Sequence, residues 1–213
     1  RLVSEGTRPM LPWSKRLTLS ATDAIPLLDT LHADPARFVT RSVSNHLNDI
    51  AKTHPDLVIS TLKNWKTQGK QQEEEFHWMS KHSLRTLIKQ GNPKALKFLG
   101  FRTNPKIEVT DLALKRKRIA KGEAIEFSFT VTSMQKEALM VDYVIDFVKA
   151  NGTHKPKVHK LKQLELAKGQ SSLVAKKHVL HANATTYTLY PGTHHVTLQI
   201  NGKAFGTASF ELT

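Results

Sequence analysis

The chain has 213 residues, with 32 lysines and arginines against 18 aspartates and glutamates, and a formal net charge of +14. The absence of cysteine excludes disulfide frameworks, zinc–thiolate sites and cysteine nucleophiles. The sequence contains no run of about 18 apolar residues, so no membrane span is predicted. A hydrophobic fraction of 39% is too high for a disordered basic tail. We therefore expect a folded, cytoplasmic protein. Its charge favours a polyanionic partner such as nucleic acid, and a basic protein without such a partner is the alternative.

The first half of the chain has apolar residues at helical spacing. Pro35, Pro55 and Pro93 each mark a helix start, because a proline at the first helical position loses no hydrogen bond. Helices are predicted at 23–32, 35–53, 55–68, 73–90 and 93–99. A weak internal repeat, offset by about 40 residues, pairs a long helix with a proline turn and a second helix, as in HEAT-like repeats.

The second half alternates apolar and polar residues and contains turn signals such as Asn-Gly at 151–152 and 201–202. Strands are predicted at 106–114, 124–133, 139–149, 157–166, 172–181, 186–190, 194–201 and 204–212. So many short strands in about 110 residues predict an immunoglobulin-like antiparallel β-sandwich. The predicted fold class is a multidomain α plus β protein, with HEAT-like helical repeats over 1–103 and the sandwich over 104–213.

Four polar residues of the helix predicted at 35–53 are expected to share the face opposite its buried stripe: Arg41, Asn45, Asp49 and Lys52. One interpretation is an ordinary solvated face with ion pairs along it. The other is a concave functional surface on which Arg41 keeps Asp49 ionised and Asn45 orients a bound group. Spacing alone leaves both open.

The helix predicted at 73–90 carries Trp78 among the basic side chains of Lys81, His82, Arg85 and Lys89. This mixture suits a phosphate backbone and a flat base. The alternative is an exposed basic helix whose tryptophan packs at a repeat junction. The basic run at 115–118 has three open interpretations, namely edge-strand protection, contact with the DNA backbone, or a nuclear signal.

Motifs for other chemistries are missing from the sequence. The 11 histidines show neither HExxH nor a His/carboxylate triad spacing, so no metal site is predicted. There is no Walker loop, GxGxxG or GxSxG, which disfavours nucleotide-driven chemistry, dinucleotide chemistry and this type of serine hydrolysis. We expect no cofactor.

Specific strings carry more information than periodicity. Residues 4–9 read SEGTRP with LPW at 11–13, residues 41–52 read RSVSNHLNDIAK, and RTLIK at 85–89 leads to LGF at 99–101. These strings resemble the DNA alkylation repair family, and more closely its AlkC-type branch. The stretches 142–152 and 190–203 resemble the immunoglobulin-like domain that AlkC-type proteins carry after their HEAT-like repeats. The resemblance covers essentially the whole chain. Proteins of that family have further helices before this point, so the chain is expected to be the C-terminal part of one.

The resemblance implies a DNA glycosylase that excises cationic N3-alkylated bases, such as 3-methyladenine and 3-methylcytosine, from duplex DNA without base flipping. A cationic base departs neutral, so no general acid is needed. Carboxylates would stabilise the oxocarbenium-like sugar and position water, and an aromatic face would add cation–π attraction. By this resemblance, Glu5 and Asp49 are the predicted carboxylates and Trp13 is the predicted aromatic contact.

A further set of residues is predicted to contact or orient DNA: Arg8, Arg41, Asn45, Lys81, Arg85, Lys115 and Arg116. Met10 stands where a basic residue is expected in the first string, which puts one phosphate contact in doubt. The expected partner is double-stranded DNA with alkylated bases, bound by a monomer. One alternative is a non-catalytic DNA-binding or scaffold protein of the same fold, which does not require both carboxylates. The other, an adhesion or carbohydrate module, fits poorly with basic helices and no disulfides.

Overall fold

The computed structural model describes residues 1–11, 13–185 and 187–213. The chain divides into two compact units, Arg1–Leu99 and Gly100–Thr213. The second unit begins at residue 100 rather than 104 because the segment leading into it is hydrogen-bonded to the β-structure. The Asn201 side chain donates to the Arg102 carbonyl at 2.9 Å, and the Lys106 amide donates to the Glu137 carboxylate at 3.1 Å.

The first unit is helical throughout its regular structure. Its elements are α1 (Leu2–Gly6), α2 (Ala21–Asp29), α3 (Arg37–Ala51), α4 (Pro55–Gln68), α5 (Glu73–Ser83), α6 (Arg85–Lys89) and α7 (Pro93–Phe98). Helix α3 lies at the centre, in contact with α1, α4, α5 and α6. Its Val43 and Leu47 are fully buried with Leu62 of α4 and Leu84 between α5 and α6. Burial of this apolar stripe holds the helices together.

Two helical features differ from the prediction. The helix expected at 73–90 is broken at Leu84, whose backbone leaves helical geometry with φ −94° and ψ 6°. The Arg85 guanidinium donates to the His82 carbonyl at 2.7 Å and so satisfies a carbonyl that the break leaves over. Helix α1 was not predicted at all, since a five-residue segment carries almost no periodicity.

The described residues of the second unit, 100–185 and 187–213, form eight strands. They are β1 (Ile107–Leu114), β2 (Arg118–Ile119), β3 (Ala124–Ser133), β4 (Glu137–Val148), β5 (His154–Leu166), β6 (Ser171–Val179), β7 (Gly192–Ile200) and β8 (Lys203–Leu212). One sheet has the order β1-β3-β6 and the other β2-β8-β7-β4-β5. All pairs are antiparallel except the short parallel pair β2–β8.

The core of the second unit comes from alternating residues of both sheets. Strand β3 alternates strictly, so that Ile125, Phe127, Phe129 and Val131 are buried while their neighbours are not. This period of two places one face of the strand against the opposite sheet. The immunoglobulin-like architecture predicted from alternation is therefore present.

Two strands differ from the prediction. The strand expected at 186–190 is wrong for the described residues 187–190, which are not in strand conformation, and residue 186 lies outside the described residues. Leu189 is buried in the core all the same, so an apolar residue in a core-lining loop was mistaken for a strand. The short strand β2 was not predicted, because two residues give no alternation.

No helix among the described residues has the length and hydropathy of a membrane span.

Candidate functional site

Helix α3 presents a buried polar stripe toward α1, and Asp49 lies on it. The residue is only 2% exposed, so of the two interpretations left open for this face, the ordinary solvated one does not hold at Asp49. Periodicity missed this because the segment after α1 returns over this face of α3 and places Arg8 against Asp49. Three polar residues at helical spacing, Ser42, His46 and Asp49, mark the stripe.

Arg8 brings the two predicted carboxylates together. Its Nε donates to Oδ2 of Asp49 at 2.9 Å, and its Nη2 contacts the same oxygen at 2.8 Å. Its Nη1 donates to Oε2 of Glu5, also at 2.9 Å. One guanidinium therefore bridges a carboxylate of α1 and a carboxylate of α3. We call Glu5, Arg8 and Asp49 the carboxylate cluster.

Two further cations border the carboxylate cluster. Lys52 Nζ donates to the other oxygen of Asp49 at 2.9 Å, and Arg1 lies 3.4 Å from Glu5 Oε1. Arg41 is exposed, and the partner proposed for it on α3 is held by Arg8 and Lys52 instead. The expectation that Arg41 keeps Asp49 ionised is therefore wrong.

The electrostatics of the cluster favour charged side chains. Burial raises the pKa of Glu5, but hydrogen bonds from Arg8 and Ser42 outweigh it and bring the pKa below 4.5. Burial lowers the pKa of Arg8, but its hydrogen bonds to Glu5 and Asp49 outweigh this and raise the pKa above its ordinary value. The cluster thus holds an ionised Glu5 next to a charged Arg8 near neutral pH.

A second polar contact of α3 faces α5 and α6. The side-chain oxygen of Asn45 accepts from His82 Nε2 at 2.9 Å and from Arg85 Nη2 at 3.1 Å. Burial lowers the pKa of Arg85 from its ordinary value, and attraction to Asp49 works against that shift. The predicted DNA-contact residues Asn45 and Arg85 are therefore joined to each other, within electrostatic range of the carboxylate cluster.

The two predicted aromatic contacts have different surroundings. Trp78 stacks on His82 with ring centroids 5.0 Å apart and receives the Arg37 guanidinium at 4.7 Å. Trp13 is 77% exposed and makes no ring contact with the described residues. The structure therefore does not bring Trp13 together with the carboxylates through a side-chain stack.

The remaining predicted DNA contacts lie in both units. Lys81 is half-buried on α5. In the second unit, Lys115 pairs with Glu126 at 3.1 Å and Arg116 with Glu123 at 3.0 Å. Both ion pairs are exposed to solvent, so water and salt screen them readily.

Metal ligation finds no support in the described parts of the chain, where no group of three or more histidine, aspartate or glutamate side chains is arranged to hold an ion.

The fold is shared with a protein solved on DNA. The chain aligns with the structure of Pseudomonas fluorescens alkylpurine DNA glycosylase AlkC bound to DNA containing an abasic site analog, with a TM-score of 0.92 and 39% identity over 99% of this chain. The chain is similar to AlkC in both sequence and fold. The resemblance in its sequence strings is confirmed.

A second relative supports the same grouping. The uncharacterized protein YhaZ of Bacillus subtilis (strain 168) is 35% identical over 215 residues, covering 100% of this chain. Residues 108–213 match the family model of the C-terminal immunoglobulin-like domain of YhaZ, so the predicted β-sandwich is confirmed as immunoglobulin-like. The chain spans 58% of the AlkC chain and 59% of YhaZ.

Proposed function

We propose that the chain contributes the catalytic carboxylates of a DNA glycosylase that excises cationic N3-alkylated bases, such as 3-methyladenine and 3-methylcytosine, from duplex DNA. The observation that carries the proposal is the bridging of Glu5 and Asp49 by Arg8. Two carboxylates from distant parts of the chain meet on one guanidinium, at bond lengths of 2.9 Å.

The carboxylates suit the chemistry of a cationic leaving group. An N3-alkylated base departs as a neutral molecule, so the enzyme has no proton to supply to it. Positive charge develops on the sugar instead, and an ionised carboxylate next to it lowers the energy of that state. A carboxylate also orients the water that completes hydrolysis. The proposal includes removal without base flipping, which the resemblance of the sequence strings to AlkC-type proteins implies.

Charge balance assigns a task to the neighbouring cations. Arg8 and Lys52 offset the charges of Glu5 and Asp49 in the free chain. Lys52 is the more exposed cation, with 36% of its side chain accessible, and it can turn toward a DNA phosphate. That movement leaves negative charge on Asp49 for the sugar, so binding of DNA and activation of the cluster are coupled in this proposal.

Duplex DNA is the proposed partner, and the whole charge distribution supports it. Residues 1–100 hold 15 basic and nine acidic residues, and residues 101–213 hold 17 and nine. Both halves are therefore basic. Trp13, exposed close to the cluster in sequence, is proposed to contact the lesion. We also propose that the protein is cytoplasmic and acts as a monomer. Light scattering on the free and DNA-bound protein tests the monomeric state.

The second candidate is a non-catalytic DNA-binding or scaffold protein of the same fold. One observation favours it. Asp49 has partners at both oxygens, Arg8 and Lys52, and so serves equally as a buried staple between α1 and α3. In that case both carboxylates are structural, and no base is released.

The experiment that separates the two functions is base release from methylated duplex DNA by the full-length protein, measured by mass spectrometry. Release of 3-methyladenine or 3-methylcytosine, with no release of uracil from a matched duplex, supports the glycosylase. Tight binding without release of any base supports the scaffold.

A further inference from the structure

Helix α1 depends on α3 for its position. It has five residues and no side-chain hydrogen bond at its N-cap, so it cannot be stable alone. Its Ser4 is fully buried against α3. Since Glu5 is the next residue, whatever fixes Ser4 on α3 also fixes the backbone that carries Glu5.

Ser42 of α3 contacts both residues. Its hydroxyl lies 2.6 Å from the Ser4 hydroxyl, and both serines are fully buried. Ser42 also helps to lower the pKa of Glu5, the residue that follows Ser4. One buried side chain of α3 thus contacts α1 at Ser4 and favours the ionised form of the neighbouring acid.

His46, one turn further along α3, holds the backbone of Ser4. Its Nδ1 lies 3.1 Å from the Ser4 carbonyl oxygen, which can only accept, so Nδ1 carries the proton. Nε2 is buried with no hydrogen-bond partner among the described residues. Burial lowers the pKa of His46 and keeps the ring neutral, with Asp49 and Glu5 working against this shift and Arg8 in favour of it. The polar contact of His46 is therefore directed at α1.

We propose that Ser42 and His46 are positioning residues, which hold α1 on α3 so that Glu5 stays beside Asp49 in a fixed geometry. The inference rests on the proposed function, in which Glu5 acts as a catalytic carboxylate. Neither residue needs to touch DNA. Displacement of a reacting group by about 1 Å costs on the order of 100-fold in rate, so this scaffold matters as much as the acid it holds.

The chain offers a matched control for Ser42. Ser44 lies on the same helix and is also fully buried, but its hydroxyl donates to the Thr40 carbonyl of α3 itself at 2.8 Å. Ser42→Ala and Ser44→Ala therefore remove the same atom at the same burial. Only the first removes a contact with α1.

A ¹³C NMR titration of the Glu5 carboxyl, assigned with Glu5→Gln, tests the contact without requiring activity. We expect Ser42→Ala to raise the pKa of Glu5 and Ser44→Ala to leave it at the wild-type value. An unchanged titration in Ser42→Ala, or an equal shift in both variants, overturns the proposal.

Base release then tests the consequence. We expect Ser42→Ala to lower the single-turnover rate about 10-fold or more, with the Kd for undamaged duplex within about twofold of wild type, and Ser44→Ala to match wild type. Equal rates for the two variants contradict the positioning role. If wild-type protein releases no base, the proposed function fails, and the titration alone decides whether Ser42 positions Glu5.

His46 is tested by rescue. His46→Leu keeps an apolar side chain but loses the N–H, whereas His46→Asn keeps an amide N–H near the position of Nδ1. We expect the His46→Asn protein to release base faster than the His46→Leu protein, although a leucine side chain suits a buried site better. The opposite order shows that His46 acts only by filling space and overturns its share of the proposal.

Discussion

The Arg8 guanidinium contacts one oxygen of Asp49 through two nitrogens, Nε at 2.9 Å and Nη2 at 2.8 Å, and both side chains are largely buried. The remaining nitrogen of the guanidinium, Nη1, donates a hydrogen bond to the Glu5 carboxylate. The pair therefore joins the segment after α1 to the central helix α3, and it places the second carboxylate next to the first.

Removal of Arg8 should destabilise the helical unit. Arg8→Ala leaves the buried Asp49 carboxylate with Lys52 alone, and we expect the free energy of unfolding to fall by about 2–3 kcal/mol, below the ~3–5 kcal/mol of a fully unpaired buried charge. Urea unfolding followed by tryptophan fluorescence measures it, since all three tryptophans lie in this unit. Arg41→Ala, at an exposed position of α3, is the control and should change the free energy of unfolding by less than about 0.5 kcal/mol. Equal losses in the two variants would show that the cluster is not a buried staple.

Asn45 and Arg85 should be energetically coupled. Their hydrogen bond is partly buried and shares its acceptor with His82, so a double-mutant cycle with alanine should give a coupling of about 1 kcal/mol. The exposed ion pair Lys94–Asp56 serves as the comparison, with side chains 65% and 68% accessible, and we expect a smaller coupling there. A coupling near zero for Asn45–Arg85 would show that their hydrogen bond does not stabilise the contact between α3 and α6.

The immunoglobulin-like unit should lose stability on acidification. Burial lowers the pKa of His178 to about 4, with Lys176, Lys157 and His181 adding to the shift, while Tyr143 bonds to its Nδ1 and the His159 ring packs on it. The unfolded chain titrates near 6.5, so the unfolded state binds more protons between about pH 6.5 and 4. Stability is therefore complete above 6.5 and falls as the pH drops toward 4.

Tyrosine near-UV circular dichroism measures this loss, because all three tyrosines lie in that unit. In His178→Asn the side-chain amide takes the place of Nδ1 without titrating, so the dependence of Tm on pH between 6.5 and 4 should flatten. A slope as steep as that of wild type would assign the acid sensitivity to another group.

Affinity for undamaged duplex should fall steeply between low and physiological salt, because each phosphate contact releases counterions. Arg85→Ala should reduce the slope of log K against log salt by about 1. Arg116→Ala should change it less, since Arg116 is already paired with Glu123. A flat salt response in the wild-type protein would remove the argument for a basic DNA-binding surface.

The sequence predicted the elements whose patterns are long. Helix α4 was predicted with its exact bounds from Pro55 and the apolar spacing, and strand β3 from its strict alternation. The site residues named by the SEGTRP and NHLNDIA strings include Glu5, Arg8 and Asp49, which the structure joins in one cluster. The resemblance of these strings to a known family pointed to all three residues, and no spacing pattern within the chain did so.

What periodicity missed depends on tertiary contacts. Asp49 follows the spacing of a solvated face, and only the return of the chain after α1 buries it. Arg41 is nearer in sequence to Asp49 than Arg8 is, so helical spacing favoured the wrong cation. Ser42 and His46 belong to the same sequence string as Asp49. Their positioning role depends on contacts with Ser4, which no pattern within α3 reveals.

Asp49 and Glu5 are the two side chains to which we assign catalysis. The most direct measurement is release of 3-methyladenine and 3-methylcytosine from methylated duplex by the full-length protein and by Asp49→Asn, with Asp56→Asn, at an exposed aspartate, as the control. Circular dichroism verifies that each variant is folded. We predict release by the wild type and by Asp56→Asn, and a loss on the order of 100-fold or more in Asp49→Asn with DNA binding retained. Equal release by Asp49→Asn and the wild type, or binding without release by both, would contradict the account.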